Sequence, residues 1–290
     1  MAVEVVQPMS LPARIRAALG KLMDAPWSGD QDDNRKDRDK NEMRRMAVFS
    51  SPRVKIVSEL PAQAGPIFDL SRALQTAFAA EKTFMGPGAV VDNRQAKFHP
   101  ESFARLDAVV RALVGQYAAT QSDWKQYASF NKEHYVRHFI DACDDFELIL
   151  ICWAPGQVSR VHNHAGSHCW LTAIQGAVEE NHYVSDATCS GSNTPRADKP
   201  IVPNVVHTET PCPLLTHTHH ATLHPPATGY INDHMGLHSV GCGDGVAEGA
   251  VTLHLYAPPI KRVKLYEPDA DRVLIRVPGF ATVRGVPVPP

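Results

Sequence analysis

The stretch GQVSRVHNHAGSHCWLTAIQG, residues 156–176, decides the fold. It alternates in character and is broken by the turn pairs Ala165–Gly166 and Gln175–Gly176, which reads as short β-strands joined by tight turns. In an extended strand, side chains two apart point to the same face. His162 and His164 then converge on one point, and two imidazoles on one face make half of a metal site. The third donor has to come from another strand. His238, in the segment GLHSV, is the best candidate; His254, in TLHLY, competes with it.

Outward from this stretch the chain divides. Towards the N-terminus, PIFDLSRALQTAFAAEKTF carries apolar residues at helical spacing, with Asp69 expected as its N-cap. PESFARLDAVVRALVGQYAATQ is a second amphipathic helix, and SDWKQYASF a short third piece. From Tyr135 onward the pattern is β-rich. FELILICWA is an apolar run ended by Pro-Gly, GYINDHMGLHSV has glycine at both turn-like positions, GAVTLHLYAPP alternates, and DRVLIRV reads as one more strand. Helices first and many short strands after suggest a segregated α+β layout around a β-sandwich or small barrel.

Two regions fall outside that plan. Residues 1–60 hold the mixed-charge block SGDQDDNRKDRDKNEMRR, which has no apolar period and is expected to stay solvated and disordered. Residues 184–228 are rich in Pro, Thr, Ser and His, lack a period, and are expected to form a long loop insertion. That stretch contains THTHH, expected to be a solvated loop. Residues 61–290 are thus expected to be a single domain whose helical part runs over 66–130.

The composition is that of an ordinary soluble domain. Of 290 residues, 43% are apolar and 21% charged, with 15 histidines, 23 prolines and a net charge of −2. So small a charge supplies no field to draw in nucleic acid or an anionic membrane. Six cysteines (Cys143, Cys152, Cys169, Cys189, Cys212 and Cys242) form no CxxC pair. Free thiols in a reducing, cytoplasmic setting are expected.

The spacing around the two histidines carries more than the histidines themselves. Gly156, five residues, His162, one residue, His164, four residues, Cys169, six residues and Gly176 resemble the first cupin motif, with a cysteine where most cupins carry a glutamate ligand. With that departure, the chain resembles the thiol dioxygenases, and most closely the cysteine dioxygenase family. The residues carrying the resemblance are YVRHFID (135–141), LILICWAPG (148–156), HNHAGSHC (162–169), QGAVEE (175–180), YINDHMGLH (230–238) and VTLHLYAPP (251–259).

The resemblance implies a mainly β, cupin-type jelly-roll β-sandwich or barrel preceded by a few N-terminal α-helices. It implies Fe²⁺ held by His162, His164 and His238, and a thioether cross-link between Cys169 and Tyr256. Tyr135 and Arg137 would contact the substrate carboxylate. His254 would hydrogen-bond Tyr256, with Thr252 behind it in place of the family's usual serine. The implied reaction is oxidation of L-cysteine by O₂ to cysteine sulfinate (3-sulfinoalanine), the first step of cysteine catabolism toward taurine or sulfate. The implied enzyme is a monomer whose partners are the small thiol and O₂, not nucleic acid or membrane. A dioxygenase of another small thiol such as 3-mercaptopropionate, and a non-catalytic cupin metal-binding or sensor protein, are the alternatives.

The donor set suits this chemistry. Three neutral imidazoles leave the charge of a divalent ion uncompensated, and such an ion deprotonates a coordinating thiol. An arginine fork matches a carboxylate. Zinc hydrolysis lacks an evident general base, since Glu179 and Glu180 lie well along the next strand and are expected to be exposed.

Overall fold

The computed structural model describes residues 63–86, 99–186, 207–209 and 211–288. The expectation for residues 1–60 lies outside the described residues. All the elements belong to one compact unit, Gln63–Pro290.

Two helices come first, α1 (Pro66–Met85) and α2 (Pro100–Thr120), and then a 3₁₀ turn over Asp123–Gln126. The cap of α1 is a correction. Asp69 lies in the first turn and bonds Arg72 at 2.5 Å. The N-cap residue is Gly65, and the free amide of Ile67 is satisfied from outside the helix by Asp123 Oδ2 at 3.0 Å. A carboxylate at the positive end of the helix fills the capping role wherever it comes from in the chain.

The strands are β1 (Val136–Ala142), β2 (Glu147–Trp153), β3 (Val161–His162), β4 (His168–Gln175), β5 (Val178–Ser185), β6 (His207–Glu209) and β7 (Leu215–Leu223). They continue with β8 (Thr228–Ile231), β9 (Leu237–Gly241), β10 (Ala250–Ala257), β11 (Val263–Glu267), β12 (Arg272–Arg276), β13 (Thr282–Val283) and β14 (Val286–Pro287). They form two seven-stranded sheets. One runs β14-β13-β1-β2-β10-β4-β8 and the other β6-β12-β11-β3-β9-β5-β7. The cupin-type β-sandwich with leading helices expected from the resemblance is the architecture found.

The inner strands of the first sheet are buried on both faces. Every residue of β2 and of β10 is buried, so the alternation read in VTLHLY does not separate core from solvent. One face packs on the helices: Phe78 of α1 meets Phe146, and Trp170 of β4 stacks on Phe103 of α2 and donates to Asp107 Oδ1 at 2.8 Å. The other face turns toward the second sheet and carries the polar residues Arg137, Thr252, His254 and Tyr256. Strands covered on both sides read as near-continuous apolar runs, as ELILICW does.

The expected loop over 184–228 is only partly a loop. Residues 215–223 form β7, the edge strand that pairs with β5 over its whole length. It is largely exposed, so no apolar alternation marks it, and its polarity hides a strand that the backbone ladder alone defines. Residues 187–206 lie outside the described residues.

Candidate metal centre

The HNH segment is built by three restraints. Asn163, between the two histidines, points away from them and accepts from the amide of Lys264 at 2.8 Å, which ties the segment to β11. His162 sits directly opposite His238 in the β3–β9 pairing. After His164 the chain turns through Ala165 and Gly166, both at positive φ. Asp233 clasps that turn, accepting from the amides of His164 at 2.6 Å and Gly166 at 2.7 Å. A carboxylate satisfying two amides fixes a turn that alanine would otherwise adopt only at a cost.

The outcome is a triad. His238 Nε2 lies 3.1 Å from His164 Nε2 and 3.2 Å from His162 Nε2. Two nitrogens each about 2.1 Å from one ion and at right angles to each other stand about 3 Å apart, so the three rings fit one transition-metal ion. Their tautomers also fit. The Nδ1 of His162 faces the carbonyl of Arg160 at 2.8 Å, and a carbonyl only accepts, so Nδ1 carries the proton and Nε2 offers a lone pair. His238 Nδ1 is held likewise by Glu180 Oε1 at 2.8 Å. Burial, with His238 nearby, holds His162 down to about 3, and burial drives His164 well below the ordinary histidine range. Neutral imidazole is the form that binds metal.

His254 is not part of the triad. It lies on the facing sheet, between Thr252 and Tyr256, with its Nδ1 3.1 Å from the Tyr256 hydroxyl and its Nε2 2.8 Å from Thr252 Oγ1. Trp153 is buried and donates its indole N–H to the same Thr252 oxygen at 2.8 Å. Trp153 only donates, so Thr252 Oγ1 accepts from it, and the hydroxyl keeps its own proton to give and a second lone pair with which to accept. When the Thr252 proton goes to His254 Nε2, His254 carries hydrogen on Nδ1 and donates to Tyr256, and the phenol's proton is free for the cavity.

Cys169 stands directly opposite Tyr256 in the β4–β10 pairing, and both are buried. Cross-strand partners hold their Cβ atoms about 4.5–5.5 Å apart. Burial pushes the Cys169 thiol well above its usual range and raises the Tyr256 phenol. His168, one residue earlier, faces the helices: it stacks on Phe103, and its Nδ1 lies 2.6 Å from the Tyr230 hydroxyl.

Between the sheets lies a cavity of about 220 Å³, lined among others by Tyr135, Arg137, Trp153, His162, His254 and Tyr256. Tyr135 packs its ring on Trp153 at 4.6 Å. Arg137 is the unusual member. Its Nε and Nη2 are buried and have no hydrogen-bond partner, and its guanidinium lies 5.4 Å from the ring centre of Phe280. Buried donors of a cation left without acceptors are costly, and the simplest compensation is an anion delivered by a ligand.

Glu180 and Asp233 are the functional candidates that sequence reasoning missed. Glu180 was expected to be exposed and is instead buried. Burial alone would raise its carboxyl, but His182 and His238 beside it hold it below the ordinary range. The five described cysteines (Cys143, Cys152, Cys169, Cys212 and Cys242) are free thiols. Among the described residues no helix is long and apolar enough to cross a membrane.

Comparison with known proteins gives the family. The family model "Cysteine dioxygenase type I" matches residues 101–269. Cysteine dioxygenase type 1 of Danio rerio is 30% identical over 162 residues, which cover 54% of this chain and 68% of that protein. The protein of the same name from Homo sapiens is 30% identical over 151 residues, 52% of this chain and 64% of that one. A solved protein with a double-stranded β-helix domain from Klebsiella pneumoniae superposes with a TM-score of 0.32 at 16% identity, over 51% of this chain and 97% of that one. The chain therefore spans about two thirds of the length of its curated relatives, and, with the family model matching well over half of it, it belongs to the cysteine dioxygenase type I family.

Proposed function

We propose that this chain is an iron-dependent dioxygenase that oxidises the thiol of L-cysteine to a sulfinate with both atoms of O₂. The observation that carries the reading is that Arg137, two of whose guanidinium nitrogens are buried and without a hydrogen bond among the described residues, lines the same cavity as His162. A substrate that presents a carboxylate to one and a sulfur to the other satisfies both.

His162, His164 and His238 would hold Fe²⁺, which, when bound, lowers the thiol's pKa and brings sulfur and dioxygen together. The remaining work falls to the chain. Arg137 offers a planar fork to the carboxylate, and Tyr135 lies beside it with a hydroxyl for the same group. That pairing sets the distance between the anchored end and the sulfur. The apolar wall of Ile151, Val240 and Ile260 excludes water and strengthens each polar contact inside. Tyr256, held as an acceptor from His254, presents its proton to the cavity, where it can donate to a developing negative charge. A Cys169–Tyr256 thioether would fix the phenol's position.

The test is oxygen uptake by iron-loaded protein given L-cysteine, 3-mercaptopropionate or cysteamine, with mass spectrometry of the product. Cysteine sulfinate formed at the highest kcat/KM from L-cysteine is the expected result. Faster turnover of 3-mercaptopropionate would move the substrate assignment. Oxygen uptake with none of the three would leave a metal-binding protein without turnover.

A further inference from the structure

The line of imidazoles does not stop at the triad. His162 faces His238 across β3–β9, His238 faces His182 across β9–β5, and His182 faces His219 across β5–β7. Four histidines thus occupy one row over four adjacent strands, with ring centres 4.6, 6.2 and 5.4 Å apart in that order. The row starts in the cavity and ends at exposed His219 on the sheet edge. The triad uses only its first two members.

Behind His238 the row forms a second cluster. Glu180 Oε1 lies 2.8 Å from His238 Nδ1 and 3.1 Å from His182 Nε2. One donor atom from each of the three lies within 4.8 Å of the others. No Lys or Arg pairs with this buried carboxylate among the described residues. His182 Nε2 is buried and makes no hydrogen bond, although the carboxylate oxygen is so near. Its axis therefore points off that oxygen. Two donors of one ion stand in that relation, about 3 Å apart with lone pairs converging on a third point. Gly229 leaves the carboxylate its room, for a Cβ there would sit 2.6 Å from Glu180 Oε2.

We propose that Glu180, His182 and His238 form a second divalent-cation site, back to back with the first through the shared ring of His238, for a borderline cation such as Zn²⁺. Two nitrogens and a carboxylate are a donor set that such an ion accepts, with water completing the shell. The ion takes the place of the Nδ1 proton of His238, which leaves to solvent, so uptake releases a proton. His219 connects the cluster with solvent. Because one ring serves both sites, filling either alters the other's affinity. The inference does not depend on thiol oxidation and stands on stoichiometry alone.

The experiment is titration of the metal-stripped full chain with Zn²⁺ at fixed pH, followed by calorimetry and elemental analysis. Wild type is expected to take two equivalents. His182→Ala and His182→Gln should each weaken one of them at least tenfold, with an unchanged near-UV circular dichroism spectrum. His164→Ala should weaken the other and leave the His182-dependent equivalent. His217→Ala combined with His220→Ala, which removes the exposed histidines bonded to Asn181 on the opposite face, should keep both. A single equivalent in wild type overturns the proposal. So does a second equivalent that survives both His182 variants, or one that vanishes with His217 and His220 instead.

Discussion

The indole Nε1 of Trp153 lies 2.8 Å from Oγ1 of Thr252, across the β2–β10 pair, and takes one of the two lone pairs of the hydroxyl that faces His254. With that lone pair occupied, donation of the Thr252 proton to His254 Nε2 is favoured, and with it hydrogen on His254 Nδ1 facing Tyr256. Trp153→Phe keeps the bulk and removes the donor. On the dioxygenase reading its kcat should fall by about fivefold, the equivalent of a neutral hydrogen bond of about 1 kcal/mol, with KM little changed. Thr252→Ser should retain activity and Thr252→Val should lose at least as much as Trp153→Phe. Steady-state oxygen uptake checks all three, and a Thr252→Val variant at full rate would remove the row from the mechanism.

Arg137 illustrates a site that is stable only in company. Two of its guanidinium nitrogens are buried and have no hydrogen-bond partner among the described residues. Arg137→Met replaces the charge with apolar volume, so the unliganded variant should melt at a higher temperature than wild type. The same change should weaken a carboxylate-bearing thiol by roughly 2–5 kcal/mol, about 30-fold to several thousand-fold, and leave cysteamine nearly unaffected. Thermal melts and substrate titrations separate the two effects. A lower melting point together with unchanged KM would mean that Arg137 serves the fold and not the ligand.

Glu180 orients a ring and holds its tautomer. Truncating it to alanine leaves His238 Nδ1 without its acceptor in a buried place. Loss of such outer partners costs about 10–100-fold in metal affinity. Glu180→Ala should therefore weaken binding at the triad by that factor, measured by competition with a chelator. Affinity equal to wild type would show that the pairing of His162 with His238 across the strands is enough by itself.

Much of this arrangement was legible in the sequence because strands have a period of two. HNH puts two donors on one face wherever it lies in a sheet, and Gly-punctuated alternation marks the strands themselves. What the sequence could not supply was pairing. His238 was the better candidate and His254 its competitor, and only register placed one opposite His162 and the other on the facing sheet. Glu180 and Asp233 are ordinary acidic residues in sequence, and their partners lie 58 and 69 residues away. The cap of α1 hid for the same reason, since its acceptor belongs to a later turn. THTHH misled in a different way: an edge strand open to solvent has no apolar face to give it away.

Stability should depend on pH through histidines held neutral. His138, away from the triad, is buried against Ser129 and Thr282, and burial lowers its pKa from the ordinary value. The unfolded chain protonates this group near pH 6.5, the folded chain only at lower pH. In between, the unfolded state binds more protons, so stability falls as pH falls below about 6.5 and nothing is lost above it. His138→Gln abolishes that slope. The gap between the urea midpoints of metal-free wild type and variant should thus change between pH 8 and pH 5.5, wild type losing ground as pH falls. A gap that does not change with pH would contradict the assignment.

On the dioxygenase reading, Cys169 and Tyr256 are placed for one irreversible event. They are direct cross-strand partners with both side chains buried, on the face that carries His254 and Thr252. Joining the sulfur to the phenol ring removes two hydrogens, a two-electron oxidation that O₂ would accept in becoming hydrogen peroxide, with an iron held by the triad supplying its activation. Because burial raises the thiol's pKa, adventitious oxidation by solvent oxidants is disfavoured, and the link should form only when the triad is loaded with iron and given thiol and oxygen. The chain should then run as a doublet on denaturing gels, the cross-linked form two hydrogen masses lighter. Cys169→Ser and Tyr256→Phe should each give a single band, and His164→Ala, expected to lose the metal, should give one as well. A doublet that persists in Cys169→Ser would move the link to another pair, and one that forms without iron would separate it from the metal centre.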